Sequence, residues 1–461
     1  MYKFRIFLYC VVLFTVVSCF CCCSEKKNEQ GAYTTLTDLH EEEFYFIQSF
    51  IPMDERDKDL IKADNSDKVG VETKEQEVMF EHCLQVERKY NCRIVRQPSL
   101  GHSSGAAFAA AYAAGEQPAD MICGNSLLLR DLYKSGILID LNTIQAIDTD
   151  DEEKWGIKEQ RVCTTQNGQL YAIPMAGSRY MPITREYFAA FACNMDVYNQ
   201  FRLDYTPREM IEQGKWTFNG FYDLLLDVYD VDPENKIYGL ALYNSIVTAS
   251  VYANGGDFVV KERGRYVFGY TKPDAIKALE WAQKIYRTRG MIGEHTDFYA
   301  GKATFVLDTP NHLIHTSLKN VAWLPFPYGP DVEYGTTCVS YFGSYGDCTA
   351  ILKHAQDSAH DQRTGIIFDA LFEPTEFYGK DGYDKYMERN FFNSEEDYLV
   401  YKNNLDNMHY DWSKEFLRND LLKDFSLACD TALGASGSFY PYIAPYEDIV
   451  NQIALAEIGK D

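Results

Sequence analysis

Asp120-Met121-Ile122-Cys123-Gly124-Asn125-Ser126-Leu127-Leu128-Leu129-Arg130-Asp131-Leu132-Tyr133-Lys134-Ser135-Gly136 carries a strand, a helix and a stop in one run. Asp120 to Cys123 reads as a short buried strand. Ser126 to Ser135 reads as a leucine-rich helix, and Gly136 closes it because glycine tolerates the left-handed turn that ends helices. Upstream the same alternation recurs. Phe44 to Ile51 is rich in strand formers and stops at Pro52, and Glu75 to Tyr90 places Val78, Met79, Leu84 and Val86 near one helical face. Arg93 to Gln97 is a strand, and Gly105 to Ala114 an alanine-rich helix ended by Gly115. Strand and helix alternating through short loops predict parallel sheet covered by helices, an α/β fold.

Later segments continue the mixture. Tyr187 to Cys193, Ala303 to Leu307 and Val321 to Pro325 read as strands. Phe218 to Val228 reads as a helix, and so does Pro273 to Tyr286, with Pro273 in its first turn. Beyond Glu373 the chain is richer in helix, tyrosine and charge. At 461 residues it is too long for one comfortable core, which predicts two domains. The net charge of −24 argues against a nucleic-acid or anionic-membrane surface, since both need clustered Lys and Arg.

The N-terminus reads as an export signal. Lys3 and Arg5 precede an apolar run, Ile6 to Val17, about half of the roughly 20 residues that span a bilayer. Val16-Val17-Ser18-Cys19 resembles a bacterial lipobox, in which the thiol takes a diacylglycerol and the peptide is cut before it; Cys19 is the expected lipidation site. A cleaved signal with a chance cysteine is the alternative. Ser24 to Gly31 is polar and suits a tether. The cysteines of the body are scattered, so no disulfide framework is expected. Cys123 and Cys193 read as buried hydrophobes, while Cys83–Cys92 and Cys338–Cys348 pairings stay open.

Several ordered segments resemble the extracellular solute-binding proteins of the maltodextrin-binding type. They are Ala114-Gly115-Glu116-Gln117-Pro118-Ala119-Asp120-Met121-Ile122, Gly136-Ile137-Leu138-Ile139-Asp140-Leu141 and Gly168-Gln169-Leu170-Tyr171-Ala172-Ile173-Pro174. Gly214-Lys215-Trp216-Thr217-Phe218, Asn254-Gly255-Gly256, Gly301-Lys302-Ala303-Thr304-Phe305 and Leu324-Pro325-Phe326-Pro327 follow in the same order. The segment Met175 to Glu186 is longer than the family's usual connection. Independently of the resemblance, Thr217 suits a helix cap, Gly255-Gly256 a turn with positive φ, and Trp216 and Trp281 core packing.

The resemblance implies a periplasmic-binding-protein-like fold of two α/β lobes joined by hinge strands, with a ligand cleft between them. The expected divisions are a signal peptide over 1–18, a tether over 19–35, one lobe from 36–180 plus 325–372, and the other from 181–324 plus 373–461. It implies a monomeric substrate-binding lipoprotein that passes a sugar or oligosaccharide to the permease subunits of an ABC importer, without a cofactor. Presentation of the ligand to a sensor kinase is a variant of that reading. Its cleft residues would be Asn125, then Ser178, Arg179 and Tyr180 at the first crossing, then Tyr243 and Asn244, Asp308 and Thr309, and Trp323 at the hinge. Relatives often place a stacking Trp where Asp308 and Thr309 stand, which weakens a long-oligosaccharide reading.

The competing enzymatic reading is a serine hydrolase. Gly101-His102-Ser103-Ser104-Gly105 matches the G-x-S-x-G nucleophile elbow, although Pro98 and Ser99 interrupt the strand that should feed it, and Ser103 or Ser104 also suits a helix cap. His312 and His315 lack the companions of a zinc protease, and no metal site is expected.

Overall fold

The computed structural model describes residues 37–457 apart from 49–50, 53–55, 57–72, 99–104, 157–160, 162–163, 176–187, 232–236, 244, 289, 336–339, 344–346, 355, 380–381, 412–416 and 418. The chain begins its first sheet with β1 (Glu42–Gln48), where Phe44 and Phe46 face one side and Ile47 the other. α1 (Lys74–Tyr90) starts at Thr73, which accepts the Gln76 N–H while the Gln76 side chain accepts the Thr73 N–H. Two orphan amides are thereby satisfied. The helix ends at Asn91, with φ +48°.

β2 (Cys92–Pro98) then lies parallel to β1, with Glu42 opposite Cys92 and Gln48 opposite Pro98. α2 (Gly105–Ala113), β3 (Met121–Asn125) and α3 (Ser126–Lys134) repeat the unit, and β4 (Ile173–Pro174) closes this part.

A second sheet follows. Its elements are β5 (Ala190–Asn194), α4 (Phe218–Val231), β6 (Tyr238–Leu242), α5 (Ile246–Ala253), α6 (Pro273–Arg287), β7 (Ile292–Glu294), α7 (His295–Tyr299), β8 (Ala303–Asp308), α8 (Pro310–Ile314) and β9 (Val321–Leu324). β10 (Asp347–Ile351) and α9 (Ser358–Leu371) return to the first sheet. α10 (Glu395–Asp406), α11 (Asn419–Gly434) and α12 (Glu447–Glu457) then pack on β9, on α6 and on the Val259–Glu262/Arg265–Phe268 hairpin respectively.

The strand orders are β2-β1-β3-β10-β4 and β7-β6-β8-β5-β9. The expected parallel sheet is found only in part. β2-β1-β3 and β7-β6-β8 are parallel, whereas β10, β4, β5 and β9 pair antiparallel. The antiparallel strands are the ones that follow or precede a passage between the sheets, so they do not have the helical crossover that makes neighbours parallel.

Both faces of the first sheet are covered. Phe44, Phe46, Met121 and Cys123 join one apolar cluster with Met79 and Val86 of α1 and Phe368 of α9. Ile47, Ile122, Cys348 and Ala350 join the other with Phe108 of α2 and Leu129 and Leu132 of α3. In the second sheet every residue of β5, β8 and β9 is buried. The chain therefore adopts a mixed α/β fold built on two five-stranded sheets.

Several local expectations have direct counterparts. Thr217 accepts the Gly220 N–H at the start of α4, Gly255 has φ +80°, and Trp216 and Trp281 are buried. Cys83, Cys92, Cys193 and Cys429 are free thiols, so the Cys83–Cys92 pairing is not made; Cys163 and Cys338 lie outside the described residues. Burial pushes the Cys83 and Cys92 thiols up to about 12, which leaves them protonated and inert.

Asp257, just after that glycine turn, accepts the Tyr252 hydroxyl at 2.9 Å and the Phe258 N–H at 2.6 Å. Burial outweighs those bonds and holds its carboxyl up at about 7, with Asp411 adding a smaller repulsion. The native state thus keeps a proton that the unfolded chain releases near its ordinary value of 3.8. Stability from this group is full below that value and is lost as pH rises through about 7. Urea titrations of wild type and Asp257→Asn at pH 5 and pH 8 check this. The variant is expected to remove about 2 kcal/mol of the decline between the two pH values.

Candidate functional site

Register brings the candidate residues of the second sheet together. Leu242 lies opposite Glu294 on one side and Leu307 on the other, so β7, β6 and β8 end at one level. The residues that follow are His295, Tyr243 and Asp308. The Tyr243 N–H donates to the Leu307 carbonyl at 2.9 Å, which holds it at the edge of the sheet. Its ring meets those of His295 and His312 edge to face, with centroids at 5.0 and 4.7 Å, and the two imidazoles stack on each other at 5.7 Å. Tyr243 is 53% exposed, so a large part of this aromatic group faces solvent.

Asp308 is the anchor beneath it. Fully buried, it accepts from His312 Nδ1 at 2.7 Å, from the Tyr299 hydroxyl at 2.8 Å and from the Thr309 N–H at 2.7 Å. His312 reaches it because α8 begins right after the strand, which sets residues 308 and 312 one helical turn apart. Burial, reinforced by Asp308, lifts the Tyr299 hydroxyl far above its ordinary range and keeps it a donor. With Nδ1 of His312 occupied, its Nε2 is the atom left to meet an incoming polar group.

The other candidates are placed differently. Asn125 ends β3 and caps α3, its Oδ1 accepting the Leu128 N–H at 2.8 Å. Thr309 is 7% exposed and precedes α8 without a side-chain capping bond. Trp323 is 3% exposed, with its ring against Phe392 and Tyr401 at 5.2 and 5.8 Å, so it stands in packing. Ser178, Arg179, Tyr180, Asn244, Cys19 and Ser103 lie outside the described residues. His295 and Tyr299 were not singled out by sequence reasoning, and His312 was weighed only as a metal ligand. The available signal was Gly293-Glu294-His295, a strand end whose alignment with Leu242-Tyr243 only the pairing reveals.

A second cluster occupies the opposite end of the parallel strands in the first sheet. Asp120 immediately precedes β3, and His354 and His360 follow β10 and open α9. Each imidazole bonds Asp120 through Nε2 at 2.9 Å. Although burial disfavours its charge, bonds from His354, His360 and the Tyr45 N–H hold the Asp120 carboxyl down at about 2.

Two α/β lobes, each with a mostly covered five-stranded sheet and linked by repeated passages of the chain, define a solute-binding protein. The chain belongs to the family of bacterial extracellular solute-binding proteins, whose profile matches residues 87–360. Among solved structures it is similar to the cyclic α-maltosyl-1,6-maltose binding protein of Arthrobacter globiformis, at 14% identity over 90% of this chain and 98% of that one, with a TM-score of 0.63. The sugar-binding protein MalE of Xanthomonas citri aligns at 13% identity over 90% and 98%, with a TM-score of 0.59. UgpB of Mycobacterium tuberculosis, solved with glycerophosphocholine, aligns at 14% identity over 82% and 95%, with a TM-score of 0.55. No curated protein sequence matches the chain. Among the described residues no helix is long and apolar enough to cross a membrane.

Proposed function

We propose that the protein captures a carbohydrate between its lobes and passes it to the permease subunits of an ABC importer, while acyl chains on Cys19 hold it at the outer face of a membrane. The body acts as a monomer, with lobes divided at the passages near residues 180, 325 and 372, and carries out no chemistry on its ligand. The observation that carries the reading is the exposed Tyr243 ring, braced by His295 and His312 at the aligned ends of three parallel strands. A sugar needs an apolar surface for its ring face and fixed polar atoms for its hydroxyls, and this group offers both. The carbohydrate ligands named for two of the similar structures support the same class.

In this mechanism the open protein binds the solute on one lobe and closes onto it with the other. The ligand favours closure only by the contacts it gains in the closed state. Asp308, itself bonded by Tyr299, holds the His312 imidazole in place beforehand, so little ordering of that ring is left for the binding step.

A thermal-shift screen of the full chain with maltose, longer maltodextrins, cyclic glucans and glycerophosphocholine tests the class, because a tight ligand raises Tm by mass action. A response to glycerophosphocholine alone would defeat the carbohydrate assignment. For the sugar that responds, Tyr243→Ala is expected to weaken Kd by roughly 30-fold, about 2 kcal/mol. Tyr243→Phe retains the ring and stays within about threefold of wild type. Because Tyr243 is exposed, Tm of the free protein should hold within about 2 °C in both variants. An unchanged Kd in Tyr243→Ala would remove the ring from the site.

A further inference from the structure

We propose that Asp120, His354 and His360 form a binding site for a divalent transition metal of the zinc class, on the side of the first sheet away from the solute site. The two Nε2 atoms and a carboxylate oxygen of Asp120 all lie within 4.8 Å of one another. Both Nε2 atoms are aimed at the same oxygen, Oδ1, at 2.9 Å. A tetrahedral ion with ligands at about 2.0–2.1 Å needs them about 3.3 Å apart, so each of the two nitrogen–oxygen pairs has to open by only a few tenths of an ångström.

The surroundings orient both rings for this task. His354 Nδ1 is held by Asp361 Oδ1 at 3.0 Å, and His360 Nδ1 by Glu42 Oε1 at 2.8 Å. A carboxylate on the far nitrogen of each imidazole fixes its tautomer and leaves Nε2 as the coordinating atom, which is the arrangement that accompanies histidine ligands in metal sites. The supports are themselves anchored. Arg363 binds both oxygens of Glu42 at 2.7 and 2.8 Å, Asp361 also accepts the His354 N–H, and the Tyr45 N–H holds the second oxygen of Asp120 at 2.6 Å.

The side chains of Asp120, His354 and His360 are 5, 15 and 13% exposed. The group is enclosed, yet the two imidazoles are not sealed from solvent. Two imidazoles and one carboxylate suit zinc, cobalt or nickel better than magnesium or calcium, which prefer all-oxygen shells.

Position assigns the role. Asp120 belongs to the early part of the chain, whereas His354 and His360 follow β10, the strand that returns to this sheet after the second lobe has been built. A metal there staples that return. Asp120 and Asn125 bracket β3, whose five residues span about 16 Å, so the ion stays clear of the strand ends where solute is proposed to bind.

The test uses the full chain, purified in detergent, stripped with EDTA and titrated with zinc. The expected result is one zinc per chain by elemental analysis, a rise in Tm of about 5 °C that EDTA reverses, and a tetrahedral visible spectrum with cobalt. His354→Gln and His360→Gln should each lose the zinc response while staying folded by circular dichroism. Glu42→Gln, a support and not a ligand, should weaken zinc by about 10-fold to 100-fold. Absence of stoichiometric zinc, or a response that survives both histidine substitutions, would overturn the site and leave a charge network alone. Sugar binding measured on the same samples reads the solute proposal separately.

Discussion

Trp216→Ala is expected to destabilise the protein by about 3–5 kcal/mol, seen as a lower urea midpoint and Tm. Trp216 is completely buried, and its ring meets Phe221 at 5.4 Å, Phe305 at 6.2 Å and Phe191 at 6.3 Å. These aromatics come from β5, β8 and α4, so one ring fills the space between sheet and helix. Truncation leaves a cavity that rigid neighbours close only in part. The same residue also grips the passage out of the second sheet. Its Nε1–H donates to the Pro325 carbonyl at 2.8 Å, and its own carbonyl accepts the Tyr328 N–H at 3.1 Å. Trp216→Phe keeps much of the volume but strands the Pro325 carbonyl, so a smaller loss of about 1–2 kcal/mol is expected. A loss below about 1 kcal/mol for the alanine variant would mean that the site collapses, contrary to the packing described.

Asp397→Ala is expected to cost about 3–5 kcal/mol, through charge rather than volume. β9 is the edge of the second sheet, and an edge strand exposes unpaired amides. Here the Trp323 N–H donates to Asp397 Oδ1 at 2.7 Å, and Asn393 donates to the Val321 carbonyl at 3.3 Å, so the start of α10 covers the edge. Asp397 also receives Arg208 Nη2 at 2.6 Å and the Ser394 hydroxyl at 2.8 Å. Removing a carboxylate whose side chain is 4% exposed leaves a strand amide and a guanidinium N–H without their acceptor. Asp397→Asn retains one oxygen for the Trp323 N–H and should recover part of the loss. Equal Tm values for wild type and Asp397→Ala would show that this helix does not secure the edge.

Much of the architecture was legible locally. The helix at Ser126 and the strand before it, the cap at Thr217, the turn at Gly255 and the helix beginning at Pro273 all follow from neighbours within a few residues. Strand direction was less legible. The alternation of strands and helices suggested parallel pairing, yet β5, β9 and β10 run antiparallel to their neighbours. Direction is set by which sheet the chain has just left, and no local pattern encodes that.

The candidate site divides in the same way. Tyr243 and Asp308 were chosen as residues after strand ends, a rule that works along the chain. Pairing register then placed His295 beside Tyr243, and Asp308 turned out to be the buried anchor of His312. Trp323 looked equally suited to a cleft and to a core by residue type, and the helix covering its strand encloses it. The Asp120–His354–His360 cluster left no readable trace, because Asp120 lies hundreds of residues before the two histidines, whose own separation matches no ligand motif.

By itself the sequence determined the α/β fold class: alternating strand and helix periods, with ordered glycine, proline and capping signals, admit few arrangements. Tertiary structure alone decided which side chains share a surface, since contact between residues hundreds of positions apart depends on register and on the route between sheets. Local propensity acts over a turn or two of backbone. Imidazoles, carboxylates and rings meet only after the strands have aligned.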